Sequence, residues 1–241
     1  RQNISDFYEH ESSFIPKFAI TEMGGKNAII VTNNCEMDET ISGIIYSAFA
    51  HGGQKCSAAS RIIIDNNIKD VFIERFREAV ADVKVGRSDC FSTLINPLIA
   101  EEDEKRVKKM AAQATKEINK YGGEIVADLS RKDYPGYCVG PSAFMIGDTK
   151  KIDDYKMVKT EVFGPMVHII GYDTLDEAIE IFNDTEYALT GGIFCQSQDD
   201  IEYLTPHLHA GNIYVNRSNT GARVGIEPFG GFKMSGPGPK A

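Results

Sequence analysis

The sequence predicts an α/β fold in which a parallel-rich, mixed sheet carries helices on both faces. Two observations indicate it: short apolar runs rich in β-branched residues recur along the chain, and longer segments of helical periodicity separate them. Strands that alternate with helices of this length are typical of such a sheet. No internal repeat or low-complexity linker interrupts the 241 residues, so a single domain over 1–241 is predicted.

The first quarter of the chain supplies a strand, a helix and a second strand. Residues 28–31 (AIIV) predict a buried strand, and Asp38 is a candidate N-cap for the following helix. Residues 61–65 (RIIID) predict the second strand. The helix between them has one apolar face, and Gly52 and Gly53 are expected to stop it. That face comprises Ile41, Ile44, Ile45, Ala48 and Phe49.

The rest of the chain continues this alternation, and its two long amphipathic helices are both expected to close on glycine. The predicted elements are, in order, helices at 68–86 and 99–123, strands at 124–129 and 164–172, a helix at 174–185, a strand at 189–196 and a helix–turn–strand unit at 198–217.

The composition argues against several classes of protein. A net charge of -9, from 26 Lys and Arg against 35 Asp and Glu, disfavours a nucleic-acid partner. No apolar run approaches the ~20 residues that a membrane helix needs, and no charged-then-apolar leader opens the chain. Five widely spaced cysteines without a CxxC pair predict neither a disulfide framework nor a metal site. They indicate free thiols in a reducing, cytoplasmic setting.

One cysteine has neighbours that suit a nucleophile. The stretch HGGQKCSAASR, residues 51–61, places Cys56 after two glycines and before small residues that leave room for a substrate. A turn with exposed backbone N–H groups can lower the pKa of a thiol and stabilise an oxyanion. Against this, a single cysteine is more often a small buried hydrophobe.

A carboxylate precedes the first strand in TEMGGKNAIIV, residues 21–31. The glycine turn beside Glu22 would let its side chain swing, so that it could act as a base toward water. The alternative is a solvated loop acid, with Lys26 and Asn27 as surface donors.

Four segments, in order EMGGKNAIIV, GGQKCSAASR, EVFGP and PFGGFKMSG, resemble the aldehyde dehydrogenase superfamily. The resemblance implies that Cys56 is the nucleophile and Glu22 the general base. It implies that Glu161 holds the nicotinamide ribose of NAD, with Phe163 beside it in the cofactor site. It also implies the fold of an aldehyde dehydrogenase catalytic domain and assembly into homo-oligomers.

Longer segments resemble the 1-pyrroline-5-carboxylate dehydrogenases within that superfamily: SAFAHGGQKCSAASR, TEYALTGGIFCQ and GNIYVNRSNTGARVGIEPFGGFKMSG. This resemblance implies oxidation of glutamate γ-semialdehyde to glutamate in proline catabolism, through a thiohemiacetal and a thioester on the cysteine. It implies that Ser57, Gly221 and Ala222 bind the substrate's α-carboxylate, and that Phe229 packs on its carbon chain. Backbone N–H groups at a glycine turn, with a hydroxyl, can hold an anion without a buried positive charge.

Members of this superfamily are much longer chains, and their dinucleotide-binding domain and an oxyanion-hole asparagine precede the glutamate segment. Only twenty-one residues precede Glu22 here, and none forms a GxGxxG-like turn. The chain is therefore expected to be a catalytic domain without the N-terminal domain and the C-terminal extension. Binding of NAD by this chain alone is expected to be weak or absent.

Three other functions stay open at this stage. A related dehydrogenase would use NAD or NADP on another aldehyde. A cysteine hydrolase or acyltransferase would use His51 as its base and turn over esters rapidly without a nucleotide. A catalytically silent oligomerisation domain would be expected to lose Cys56 or Glu22, and both are present.

Overall fold

The strands of the protein form one large sheet and one small ribbon in a computed structural model that describes residues 19–223 and 225–238. The strands are β1 (Asn27–Val31), β2 (Ala59–Asp65), β3 (Gly123–Asp128), β4 (Ser142–Ile146), β5 (Met166–Tyr172), β6 (Tyr187–Ala188), β7 (Thr190–Phe194), β8 (Asn212–Val215) and β9 (Phe232–Lys233).

Helices connect most of these strands. The α-helices are α1 (Met37–Phe49), α2 (Lys69–Ala81), α3 (Glu101–Tyr121), α4 (Lys156–Lys159), α5 (Leu175–Asn183) and α6 (Gln198–Leu204), and 3₁₀ turns lie at Ala50–Gly53, Thr149–Asp154 and Thr205–His207. Within the described ranges, no helix combines the length and the apolar character needed to cross a membrane.

The large sheet has seven strands in the order β3-β4-β5-β2-β1-β7-β8. Neighbouring strands pair in parallel throughout, except that the edge strand β3 runs antiparallel to β4. The short strands β6 and β9 pair antiparallel in a separate ribbon. The predicted parallel-rich, mixed sheet is confirmed.

Both faces of the sheet are covered by helices, as the sequence predicts. In β1, Ala28 and Ile30 belong to the apolar cluster on the face covered by α3 to α6, whereas Ile29 and Val31 belong to the cluster formed with α1 and α2. Because successive side chains point to opposite faces and both faces are dry, the central strands are continuous apolar runs. Each fully buried Ile contributes about 1.5–3 kcal/mol through this burial.

Several local expectations are wrong. The N-cap of α1 is Glu36, whose side chain accepts a hydrogen bond from the Glu39 N–H. Asp38 lies instead in the first turn, where its negative charge is stabilised by the positive end of the helix dipole. Helix α2 ends at Ala81 and does not close on Gly86, because Gly86 donates its N–H to the Ile95 carbonyl.

A left-handed turn links α1 to the segment that carries Cys56. His51, Gly52 and Gly53 have φ of 58°, 65° and 67°. The Cα of Gly53 packs directly on the Gly164 carbonyl, so that a Cβ there would overlap it. Both the backbone angle and the close approach require glycine at this position.

Gly53→Ala and Gly136→Ala separate these two requirements, since both glycines have φ of 67° but no atom lies within 4 Å of a Cβ built on Gly136. We expect Gly136→Ala to lower the free energy of unfolding by about 1–2 kcal/mol through backbone strain alone. Gly53→Ala should cost at least about 2 kcal/mol more because of the steric overlap. Urea denaturation measures both, and equal losses would contradict the packing argument.

Candidate active site

The candidate catalytic residues lie where the central strands begin. Cys56 precedes β2, Glu22 precedes β1, and Glu161 precedes β5. These three strands are parallel neighbours in the sheet, so their amino ends meet at one edge. Ligands of open α/β sheets usually bind at the opposite edge, where the strands end. Here the candidate site is formed instead by the loops that precede the strands.

A cavity of about 520 Å³ opens beside Cys56. This volume is within the usual range of small-molecule sites. The cavity brings together the predicted nucleophile and all four predicted substrate-binding residues. Its lining consists of Gln54, Lys55, Cys56, Ser57, Phe163, Gly221, Ala222, Arg223, Glu227 and Phe229.

The side chain of Asn27, at the first position of β1, fixes the loop that carries Cys56. Its Nδ2 donates to the Cys56 carbonyl at 2.7 Å and to the Ala58 carbonyl at 2.9 Å. Its Oδ1 accepts from the Thr190 N–H at 3.0 Å. The residue is 3% exposed, so its interpretation as a surface donor is wrong. In the sequence, the signal for this role is a polar residue at the first position of a strand that is otherwise entirely apolar.

A second set of hydrogen bonds joins this loop to the segment before Gly221. Thr190 Oγ1 donates to the Ser57 carbonyl at 3.1 Å, and Asn219 Nδ2 lies 3.5 Å from Thr190 Oγ1. The Asn219 N–H donates to Ser47 Oγ on α1 at 3.2 Å. Sequence reasoning missed Thr190 and Asn219, because their partners are far away along the chain.

The turn at Gly221 and Ala222 suits an anion. Gly221 has φ of 101°, which disfavours any residue with a side chain, and no atom lies within 4 Å of a Cβ built on it. Thr220 is buried, and its hydroxyl has no hydrogen-bond partner among the described residues. An open glycine turn beside Ser57 leaves backbone N–H groups accessible to a carboxylate.

Burial raises the pKa of the half-buried Cys56 thiol. The backbone N–H of Ser57 acts in the opposite direction, and the negative charge of Glu22 raises the pKa further. The expected lowering by the turn is therefore outweighed in this chain, because the thiolate loses more hydration than the N–H groups restore.

Glu22 is exposed to solvent, and its segment rests on the PFGGFKMSG segment. The Met23 N–H donates to the Ser235 carbonyl at 3.1 Å. A Cβ on Gly236 would lie 2.7 Å from the Thr21 carbonyl oxygen, so the two backbones are in close contact. The conformation of the glutamate segment thus depends on residues more than 200 positions away.

Glu161 does not line the large cavity but a small one, together with Lys55 and Ala58 of the Cys56 loop. Its Oε1 accepts a hydrogen bond from the Gly25 N–H at 3.1 Å. The Cα of Gly24 faces the carboxylate so closely that a side chain would displace it. Phe163, with φ of 50°, lines both the large cavity and a small one beside Glu161.

Three basic side chains are buried behind the site. Lys26 is 1% exposed, and burial, assisted by the charge of Arg61, lowers its pKa to about 7. Its Nζ has no hydrogen-bond partner among the described residues, so its interpretation as a surface donor is wrong. Arg61 donates to the carbonyls of Lys26, Ile181 and Phe182 at 2.8–3.0 Å. Burial also lowers the pKa of His168.

The other histidines give no second catalytic pair. His51 is exposed, and its ring makes no hydrogen bond to Cys56 in the described part of the chain. His207 Nδ1 lies 2.6 Å from the Tyr203 carbonyl oxygen. Residues 19–223 and 225–238 contain no cluster of three or more His, Cys, Asp or Glu side chains that could hold a metal ion.

Comparisons with known proteins agree with this geometry. The profile of the aldehyde dehydrogenase family matches residues 7–241. A 1-pyrroline-5-carboxylate dehydrogenase from Bacillus subtilis is 37% identical over 225 residues, which are 93% of this chain and 42% of the relative. The chain therefore spans less than half the length of that relative.

Two solved structures have the same fold. A 1-pyrroline-5-carboxylate dehydrogenase from Thermus with bound NAD superposes with a TM-score of 0.81 at 34% identity, covering 89% of this chain and 40% of that one. Proline utilization A from Bdellovibrio bacteriovorus superposes with a TM-score of 0.83 at 39% identity, covering 92% and 22%.

Asn27→Ala tests the fixation of the Cys56 loop. The substitution leaves two carbonyls and one N–H without partners, so we expect the free energy of unfolding to fall by about 3 kcal/mol. Alkylation of Cys56 by iodoacetamide should become faster, as measured by peptide mapping. The control is Asn34→Ala at the opposite edge, where Asn34 accepts from Thr32 Oγ1 and the Gln196 N–H. Equal acceleration in both variants would contradict the role of Asn27.

Lys26→Met tests the cost of the buried lysine. Between about pH 7 and its ordinary pKa of 10.5, Lys26 binds a proton in the unfolded chain but not in the folded one. The free energy of unfolding therefore rises with pH across this window. The variant should be more stable by at most about 5 kcal/mol at pH 7, and this gain should vanish near pH 10. Denaturation across pH measures it, with exposed Lys109→Met as control; a gain independent of pH would contradict the account.

Proposed function

The chain belongs to the aldehyde dehydrogenase family, and from that premise we propose that it forms the catalytic domain of an NAD-dependent 1-pyrroline-5-carboxylate dehydrogenase. The reaction is oxidation of glutamate γ-semialdehyde to glutamate, a step of proline catabolism. One observation carries the proposal: Cys56 shares a cavity with Ser57, the Gly221–Ala222 turn and Phe229. The names of the relatives at 34–39% identity support the same substrate.

In the proposed reaction, the Cys56 thiolate attacks the aldehyde carbon and forms a tetrahedral thiohemiacetal. The backbone N–H of Cys56 donates to the developing oxyanion. Ser57 and the N–H groups at the Gly221–Ala222 turn bind the α-carboxylate, while Phe229 packs on the carbon chain. These contacts hold the substrate at both ends, which keeps the reacting carbon against the sulfur.

Residues of the EVFGP segment suit the cofactor. Glu161 uses one carboxylate oxygen on the Gly25 N–H, which orients the carboxylate and leaves acceptor capacity for ribose hydroxyls. Phe163 supplies an exposed aromatic surface beside it. When bound, NAD supplies a positively charged ring that accepts a hydride.

Glu22 serves the second half of the reaction, in which a thioester links the acyl group to Cys56. The exposed Glu22 carboxylate takes a proton from water, and the resulting hydroxide attacks the thioester carbonyl. The Cys56 thiolate leaves as glutamate is released. The exposure of the Glu22 carboxylate to solvent supports this role. Use of NAD by this chain and self-association of the complete enzyme stay predictions.

Glu22→Gln tests the base with an ester that needs no cofactor. With p-nitrophenyl acetate, the wild-type chain should release a burst of about one equivalent of p-nitrophenolate and then turn over slowly. Cys56→Ser should abolish the burst. Glu22→Gln should keep the burst and lower the steady rate at least about tenfold.

Exposed Glu39→Gln on α1 is the control for a lost carboxylate and should behave as wild type. An unchanged steady rate in Glu22→Gln would remove Glu22 from the mechanism. Rapid turnover without a burst would favour a cysteine hydrolase.

Calorimetric titration with NAD tests whether the main contacts to the cofactor lie outside these 241 residues. Glu161 and Phe163 contact the cofactor from one side only, so we expect a Kd weaker than about 1 mM for the 241-residue chain. Micromolar affinity would contradict the proposal that the main cofactor contacts lie outside these residues.

A further inference from the structure

The large cavity contains an ion pair that the mechanism above does not use. Arg223 and Glu227 line the same cavity as Cys56 and Phe229. Arg223 Nη2 and Nε donate to Glu227 Oε1 at 2.7 Å and 3.0 Å, and the Arg223 backbone N–H donates to Glu227 Oε2 at 2.5 Å. The Glu227 N–H donates back to the Arg223 carbonyl at 3.0 Å. The two charges are therefore held in a fixed relative orientation.

Stability does not explain this pair. The side chains of Arg223 and Glu227 are 68% and 34% exposed. Exposed ion pairs contribute little to folding, because water screens the attraction and the side chains lose conformational freedom. In the sequence the pair lies between the Gly221–Ala222 turn and Phe229, and all of these residues line the cavity that would hold the proposed substrate.

Each partner keeps free hydrogen-bonding capacity. A guanidinium has five N–H donors, and Glu227 takes two of those of Arg223. A carboxylate offers about four acceptor positions. Three N–H groups of Arg223 donate to Glu227, and that of Nε is shared between Oε1 at 3.0 Å and Oε2 at 3.3 Å. One acceptor position is therefore left for a further donor. The hydrogen bonds from Arg223 also lower the pKa of Glu227, which keeps its carboxylate ionised at neutral pH.

We propose that Arg223 and Glu227 form a receptor for the α-amino acid group of the substrate. Glu227 accepts hydrogen bonds from the α-ammonium, and Arg223 faces the α-carboxylate already bound at the Gly221–Ala222 turn. Each charge of the substrate then faces an opposite charge of the protein: the α-ammonium faces Glu227, and the α-carboxylate faces Arg223. Because the bound amino acid group has no net charge, the net charge of the cavity is unchanged. A dicarboxylic semialdehyde without the amine would instead meet an unpaired, repelling Glu227. The pocket therefore selects amino-acid semialdehydes, an inference that rests on the proposed function.

Protection of Cys56 from iodoacetamide tests the receptor in the 241-residue chain, with peptide mapping as the readout. L-Glutamate and glutarate are the probes, because they share length and both carboxylates but differ in the α-amine. Wild type should be half-protected by L-glutamate at a concentration at least about tenfold lower than by glutarate. Glu227→Gln should bring the two concentrations together, by weakening glutamate and strengthening glutarate. Arg223→Gln should weaken both ligands.

Asp89→Asn, which breaks the exposed Arg87–Asp89 pair outside the cavity, is the control and should keep the wild-type ratio. Equal protection of wild type by the two ligands would overturn the receptor while leaving the proposed function intact. A uniform loss of both ligands in Glu227→Gln would also overturn it, since that is the effect of a merely structural pair. Absence of protection by either ligand would overturn the receptor together with the proposed function.

Discussion

The candidate site depends on one buried amide, that of Asn27. Its three hydrogen bonds join the beginning of β1 to the loop before β2 and to the first residue of β7. Because the amide is shielded from water, each of these groups would lose a partner that solvent cannot replace. The position of the nucleophile is thereby tied to the most deeply buried strands of the sheet. Thr190 and Asn219 extend the same connection to the substrate turn.

The charges around Cys56 oppose ionisation of its thiol. Burial and the nearby carboxylates of Glu22 and Glu161 raise the pKa of the sulfur. Behind the site, Lys26, Arg61 and His168 are buried without a carboxylate hydrogen-bonded to any of them among the described residues. A sheltered thiol beside a solvent-exposed carboxylate suits a reaction in which covalent capture and water attack occur at separate steps. In this chain the hydrogen bonds of Asn27 hold the Cys56 loop in place, while the surrounding charges keep the pKa of the thiol raised.

The features predicted from the sequence are those that depend on residues close together along the chain. Apolar runs predicted β1, β2 and β5 because both faces of these strands are buried. Strand β4, which has five residues like β1, was missed because glycine and proline flank it. Motif resemblance identified Cys56 and its cavity neighbours. It could not identify Asn27 or Thr190, whose hydrogen-bond partners are brought together only by folding. Asn27 and Thr190, for example, lie 163 positions apart.

Reversible capture of an aldehyde by Cys56 tests the central claim most directly, since it requires only residues of this chain. The measurement is the ¹³C NMR spectrum of glutamate γ-semialdehyde labelled at the aldehyde carbon, bound to the wild-type protein and to Cys56→Ser. The account predicts that the labelled carbon moves to the hemithioacetal region in wild type and stays unshifted with the variant. A signal that is absent from wild type, or that persists in Cys56→Ser, would contradict it.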